Sequence, residues 1–136
     1  MSWVIDASVG FAWVHPDQAT AETDLLLQAV TEGVEVAVPA LWFLEIANTL
    51  LVLQRRKRLT LAEKRTAVEL LSSFNFTVDD EAPKAAFHKT LELAEKHGLS
   101  VYDATYLELA LRRKLGLASR DSALLAAARK SGVKVL

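Results

Sequence analysis

Cysteine is absent from the 136 residues. Its absence excludes disulfides and thiolate metal sites and fits a reduced, cytoplasmic setting. An excess of either charge is also missing: 16 basic and 17 acidic side chains leave a formal net charge of −1. Proteins that hold nucleic acid chiefly through counterion release usually carry a basic excess, so the balance argues against a non-specific, high-affinity binder of that kind. No apolar run reaches the roughly 18 residues that a membrane span needs. The opening Met1-Ser2-Trp3-Val4-Ile5-Asp6 has no basic segment and meets an acid early, which does not read as a signal peptide. Neither G-x-G-x-x-G nor G-x-x-x-x-G-K-[ST] occurs, so no glycine-rich phosphate cradle is expected. His15, His88 and His97 have no paired ligand spacing and read as surface or partly packed residues. Internal repeats, linkers and low-complexity tracts are lacking as well.

What is present is 51% hydrophobic against 24% charged residues, the composition of a packed globule. The length suits one domain over residues 1–136. Trp3-Val4-Ile5 reads as a buried strand. Thr20 to about Val30 reads as a helix with Leu25, Leu26 and Ala29 on one face, stopped by Gly33. Val34–Val38 alternates and is rich in β-branched residues, the pattern of a strand. Pro39 opens a long helix to about Lys57. Thr60-Leu61-Ala62-Glu63 carries capping-box chemistry and starts a helix to Ser73. Phe74–Val78 reads as a strand, Pro83 to Gly98 as a helix, and Ser100 to Lys114 as another with a capping-box-like start. Leu117–Ser119 is a short strand, Ser122–Lys130 a helix, and Val133–Leu136 a last strand. Strands alternating with helices predict an α/β fold: a three-layer α/β/α sandwich on a mainly parallel sheet.

Ligands in such sheets sit beyond the carboxyl ends of the strands. Asp6 and Asp121 each follow a strand and so meet at that edge. Glu45 lies in the apolar run Leu41–Leu51, where a carboxylate is costly without a positive or hydrogen-bonding partner. Asn48 and Thr49 extend a narrow polar stripe one turn on. Each acid also has a structural role open to it: Asp6 and Asp121 can cap the helices that follow, Glu45 can favour a helix dipole, and Asp103 occupies the acidic place of a capping box. Together they point further than singly, because clustered carboxylates raise one another's pKa unless a cation lies between them. All-oxygen ligands suit Mg²⁺ or Mn²⁺. Arg55-Arg56-Lys57-Arg58, Arg112-Arg113-Lys114 and Arg129-Lys130 are dense enough to meet phosphates, or serve the helix C-termini near which they stand.

Val4-Ile5-Asp6-Ala7-Ser8-Val9, Pro39 with Glu45-Ile46-Ala47-Asn48-Thr49-Leu50, Tyr102-Asp103-Ala104 and Leu117-Ala118-Ser119-Arg120-Asp121, in this order, resemble the PIN domain and within it the VapC-type toxins. The resemblance spans essentially the whole chain. It implies an endoribonuclease whose Mg²⁺ or Mn²⁺ is held by Asp6, Glu45, Asp103 and Asp121, with Ser8 and Ser119 as supporting hydroxyls. Asp6 and Asp103 are then the main ligands, and Glu45 and Asp121 bind directly or through water. It further implies an RNA substrate, a VapB-type antitoxin and a homodimer. Ala12 stands where many VapC sequences have lysine, which makes Arg120 the alternative cation for RNA. The rival expectations are a catalytically weak module of the same fold acting through partner binding, and a phosphoryl-transfer or receiver-like domain. For the latter, Ser8 occupies the place where the haloacid dehalogenase-like pattern needs a second acid.

Overall fold

A computed structural model describes residues 1–136. Four strands form one parallel sheet: β1 (Trp3–Ile5), β2 (Val36–Pro39), β3 (Thr77–Asp79) and β4 (Gly116–Ala118), in the order β3-β2-β1-β4. The helices are α1 (Ala7–Ala12), α2 (Ala21–Thr31), α3 (Ala40–Arg55), α4 (Leu61–Ser73), α5 (Ala82–Ala85), α6 (Leu91–His97), α7 (Val101–Arg113) and α8 (Ser122–Lys130). Parallel neighbours need crossovers, and the helices that make them flank the sheet as the alternating pattern predicts. β1 and β4 are buried along their whole length, with Val4 paired to Leu117 and Ile5 to Ala118. α7 lies against β1, β2 and β4 and buries Ala104, Tyr106, Leu107, Leu109 and Ala110. No helix is long and apolar enough to cross a membrane.

Several boundaries differ from the sequence reading, each for a packing reason. The helix that Asp6 could cap is present as α1, six residues whose bounds one turn of periodicity did not fix. Leu25 points to solvent, and Leu26 alone of the expected trio is buried on α2. The strand expected over Phe74–Val78 begins at Thr77. Phe74 and Phe76 instead stack on each other at 5.1 Å and lean on Trp13, so their alternation serves an aromatic cluster. Pro39 ends β2, paired with Asp79, and caps α3 from outside. The helix expected from Pro83 to Gly98 is interrupted by a π-helical turn over Ala86–Thr90. The expected last strand is reduced to a single parallel bridge between Leu117 and Val135.

α1 and α3 approach closely because Gly10 has no side chain. A Cβ there would lie 2.5 Å from Trp42 Cζ2 and 2.7 Å from Ile46 Cδ1. The Trp42 indole N–H donates to the Asp6 carbonyl at 3.2 Å, so this contact also fixes the first acid's backbone. Gly10→Ala must push Trp42 away and should cost about 1–3 kcal/mol by overpacking. A denaturant titration reads that cost, and an unchanged midpoint would mean that Trp42 is free to move.

Candidate active site

The first acid is held by three donors. Asp6 caps α1, its Oδ1 accepting from the Val9 N–H at 3.2 Å. Oδ1 also accepts from Ser8 Oγ at 2.5 Å, and Oδ2 from Ser119 Oγ at 2.5 Å. The two hydroxyls are themselves fixed, since Ser8 Oγ accepts from the Arg120 N–H and Ser119 Oγ from the Asp121 N–H, both at 2.9 Å. Serine has one proton and spends it here on Asp6, so the β4–α8 turn is sewn to the end of β1. A carboxylate has about four lone-pair positions. Oδ1 uses two and Oδ2 one, which leaves a free position on Oδ2. Asp6 is only 5% exposed, and burial pushes its pKa up against the pull of these hydrogen bonds, with the Asp103 charge adding to the rise.

Glu45 reaches the same region from the second turn of α3. It is half-buried, and its Oε1 accepts from the buried Tyr106 hydroxyl at 2.6 Å. Burial raises its pKa, the Tyr106 hydrogen bond opposes this, and the charges of Asp103 and Asp6 raise it further. Tyr106 in turn is driven well above the ordinary phenol range by burial and by Glu45, so it remains a donor. Asp103 stands in the first turn of α7. Ser100 caps its backbone N–H at 3.0 Å, but the reciprocal half of the capping box is not formed, which frees the carboxylate. Burial and then the Asp121 charge raise the Asp103 pKa. Asp121 is exposed and caps α8, Oδ1 accepting from Ala123 and Leu124 at 2.8 and 3.2 Å while Oδ2 accepts nothing.

The four acids thus share one sheet edge and feel one another's charge, Asp6, Glu45 and Asp103 mutually and Asp121 through Asp103. They do not close into a cage. No three acidic or imidazole side chains stand close enough to enclose one ion. That spacing corrects the expectation of a tightly convergent cluster. It suits Mg²⁺, which takes one or two carboxylates and keeps several waters, and the donor set of hard oxygens fits such an ion.

The supporting residues divide. Ser8 and Ser119 both grip Asp6, whereas Asn48 is exposed on α3 outside this hydrogen-bond network. Arg120 is exposed, its Nη1 donating to Gln18 Oε1 at 2.5 Å. Ala12 is 3% exposed, so the residue in the place of the family's lysine faces the core. Of the basic clusters, Arg112 is bound by Asp79, Glu81 and Glu108 and is not free for phosphate. Tyr106 and Gln18 were not foreseen. Tyr106 lies three residues after Asp103 and thus on its face, but within an apolar run it reads as core. Removing its hydroxyl as Tyr106→Phe leaves Glu45 without its donor, and if Glu45 serves a metal site the expected loss of cleavage is about 10–100-fold. Cleavage at the wild-type rate would show that Glu45 needs no positioning.

The PIN-domain family profile matches residues 3–130. Ribonuclease VapC3 of Pyrobaculum aerophilum is 31% identical over 110 residues, covering 81% of this chain and 82% of its own. A crystal structure of another Pyrobaculum aerophilum protein superposes with a TM-score of 0.72 at 26% identity, over 99% of this chain and 83% of that one. FitAcB of Neisseria gonorrhoeae shares the fold at a TM-score of 0.68 and 22% identity, over 98% and 96% of the two chains. So does VapBC2 of Rickettsia felis, solved with a promoter DNA fragment, at a TM-score of 0.69 and 11% identity over 100% and 98%. With its buried aspartate at the end of β1 and three further acids along the same sheet edge, the chain belongs to the PIN-domain family, among its VapC-type members.

Proposed function

We propose that the protein is a metal-dependent endoribonuclease, the toxin of a toxin–antitoxin pair acting in the cytoplasm. In this reading Asp6 and Asp103 are the direct ligands of Mg²⁺ or Mn²⁺, Asp6 through its free Oδ2 position, Glu45 and Asp121 hold the ion through its waters, and Ser8 and Ser119 keep Asp6 in place. A bound divalent ion supplies Lewis acidity and lowers the pKa of a water that attacks the phosphodiester phosphorus. The protein's own part is to hold four negative groups against their repulsion and to present Arg120 at the rim for the RNA backbone. The observation that carries the reading is the placement of four acids from distant segments at one sheet edge, Asp6 with an open Oδ2 position at the end of β1 beside Glu45, Asp103 and Asp121, where burial and mutual charge both oppose ionisation. A site built that way is relieved by positive charge.

An antitoxin partner is part of the same reading. α3 and α4 leave an apolar groove lined by Trp42, Phe43, Ile46, Leu50, Val68 and Leu71, the chemistry that receives an amphipathic helix. A homodimer is included too, and Phe87, 86% exposed, and Tyr102, 64% exposed, offer apolar surface for it. A clean monomer at high concentration would remove that part. The alternative of a weakly catalytic binding module draws on the same groove.

Adding Mn²⁺ at about 100 times its dissociation constant should stabilise the protein by about 2.7 kcal/mol, read as a melting temperature higher by roughly 10 °C. RNA cleavage should appear with the ion and stop with EDTA. A thermal shift without cleavage would favour the binding module, and the absence of both would end the nuclease reading.

A further inference from the structure

A cavity of about 420 Å³ is lined by Phe11, His15, Asp17, Gln18, Leu53 and Arg58 and is joined to the carboxylate edge through the Arg120–Gln18 hydrogen bond. We propose that it is a nucleotide subsite, holding one unstacked nucleotide of the RNA strand next to the scissile bond. The base rests on the Phe11–His15 pair and its phosphate on Arg58. This rests on the ribonuclease reading and adds where on the surface one nucleotide of the strand is held.

Four observations converge on it. The volume lies in the ~300–1,000 Å³ range of small-molecule sites. The wall is tied to the candidate site by hydrogen bonds: Gln18 accepts from Arg120, whose backbone N–H donates to Ser8, which donates to Asp6. Phe11 and His15 stack at 5.1 Å with planes 28° apart, a half-buried aromatic platform of the kind on which any base can lie. Arg58 is exposed, and every ion pair within 4.0 Å in this protein belongs to Arg112, so its charge is uncommitted.

Local structure explains how these groups come together. α3 ends with Lys57 in the left-handed region at φ 59°, and the Arg58 N–H then donates to the Leu53 carbonyl at 2.9 Å. That tight reversal brings Arg58 back beside Leu53 on the cavity wall. His15 Nδ1 is the one buried side-chain nitrogen or oxygen without a hydrogen-bond partner. Burying a ring nitrogen without a partner costs free energy, as it does for any buried polar group. A leucine would stack on Phe11 without that cost, and the imidazole therefore has a reason beyond packing. Asp17 repels phosphate, which assigns it and Gln18 to the base side as acceptors for amino groups.

The test is binding of a fluorescein-labelled single-stranded RNA by full-length protein in EDTA, where no cleavage occurs. Arg58→Ala should weaken binding about 10-fold and reduce the salt dependence by about one phosphate contact, whereas Arg65→Ala on α4 should not change it. His15→Leu should weaken binding as well while melting no lower than the wild type, opposite signs that a packing role does not produce. Both variants should keep the wild-type Mn²⁺ thermal shift, so loss of the shift in the wild type itself would count against the nuclease reading and not against the subsite. Equal binding by Arg58→Ala and Arg65→Ala overturns the proposal. So does equal binding of the same RNA as a duplex, or of free mononucleotides as tightly as the strand.

Discussion

Replacing Asp6 with asparagine should cut the proposed metal-dependent RNA cleavage by on the order of 10²–10³-fold, while the metal-free protein stays about as stable as the wild type, because relief of a buried charge offsets a Ser119 hydroxyl left facing an amide N–H. The two effects differ because Asp6 does two things. As a cap it accepts from the Val9 N–H, and asparagine caps about as well as aspartate. As a charge it is buried among other carboxylates, and its raised pKa means that folding disfavours the ionised form. For such a group the folded state binds its proton more tightly than the unfolded chain does. Its contribution to stability is present below the ordinary value of 3.8 and is lost as pH rises through the raised folded value. Glu45 and Asp103 carry the same sign. Metal-free wild type should therefore grow less stable as pH climbs from the ordinary carboxylate range towards neutrality, and Asp6→Asn should show a shallower decline. Thermal melts in EDTA across that range, set beside cleavage assays in Mn²⁺, read both halves. A variant that melts lower than the wild type at neutral pH yet still cuts would remove Asp6 from the metal site and leave it only a cap.

Both readings of Asp6 were legible in the residues: an acid after an apolar strand caps the next turn or stands ready at the sheet edge, and here it caps α1 while lying at that edge. The sheet's parallel character was legible too, since strands and helical periods alternate along the chain. What could not be read was which parts of an apolar pattern become strand. Phe74 and Phe76 alternate as strand residues do, but the gap beside Trp13 took them for an aromatic cluster. Asp103 shows the converse. Its spacing from Ser100 matches a capping box, yet only the Ser100 half forms, and the carboxylate stands at the edge close enough for its charge to act on Glu45 and Asp6. Tyr106 was hidden by its neighbours: among Ala104, Leu107 and Leu109 a tyrosine reads as filler, and only the fold reveals that its hydroxyl meets a residue 61 positions away. Local chemistry announces caps and periods, whereas long-range hydrogen bonds have no local signature.

Arg112→Ala should destabilise the protein by about 3–5 kcal/mol, the cost of stripping the partner from buried carboxylates. Basic residues in the last turn of a helix are commonly surface charges, and Arg113 and Lys114 are exposed as expected. Arg112 instead forks onto Asp79, Nη1 to Oδ1 and Nη2 to Oδ2, both at 2.9 Å. Its Nε meets both oxygens of Glu108 at 3.0 and 3.1 Å, and Nη1 also reaches Glu81 at 3.0 Å. The Asp79 and Glu108 side chains are each 4% exposed, so without the guanidinium two negative charges stay buried and unpaired. The pH dependence separates this from ordinary loss of packing. In the wild type, burial pushes Asp79 up, but the Arg112 hydrogen bonds and charge outweigh it and hold the carboxyl below its usual value. The stability from that pair is present above 3.8 and disappears as pH falls through the lowered value. In Arg112→Ala burial is opposed only by the Ala82 and Glu81 backbone N–H groups, so the variant should lose less stability than the wild type as pH falls from neutral, and the two curves converge in acid. Arg112→Lys should rescue little, since an ammonium cannot reproduce the fork. Adding Asp79→Asn and Glu108→Gln to Arg112→Ala should restore part of the loss at neutral pH by removing the orphaned charges. If that triple variant is no more stable than Arg112→Ala, the guanidinium stabilises by filling space, and β3 is held to α7 by packing and not by charge.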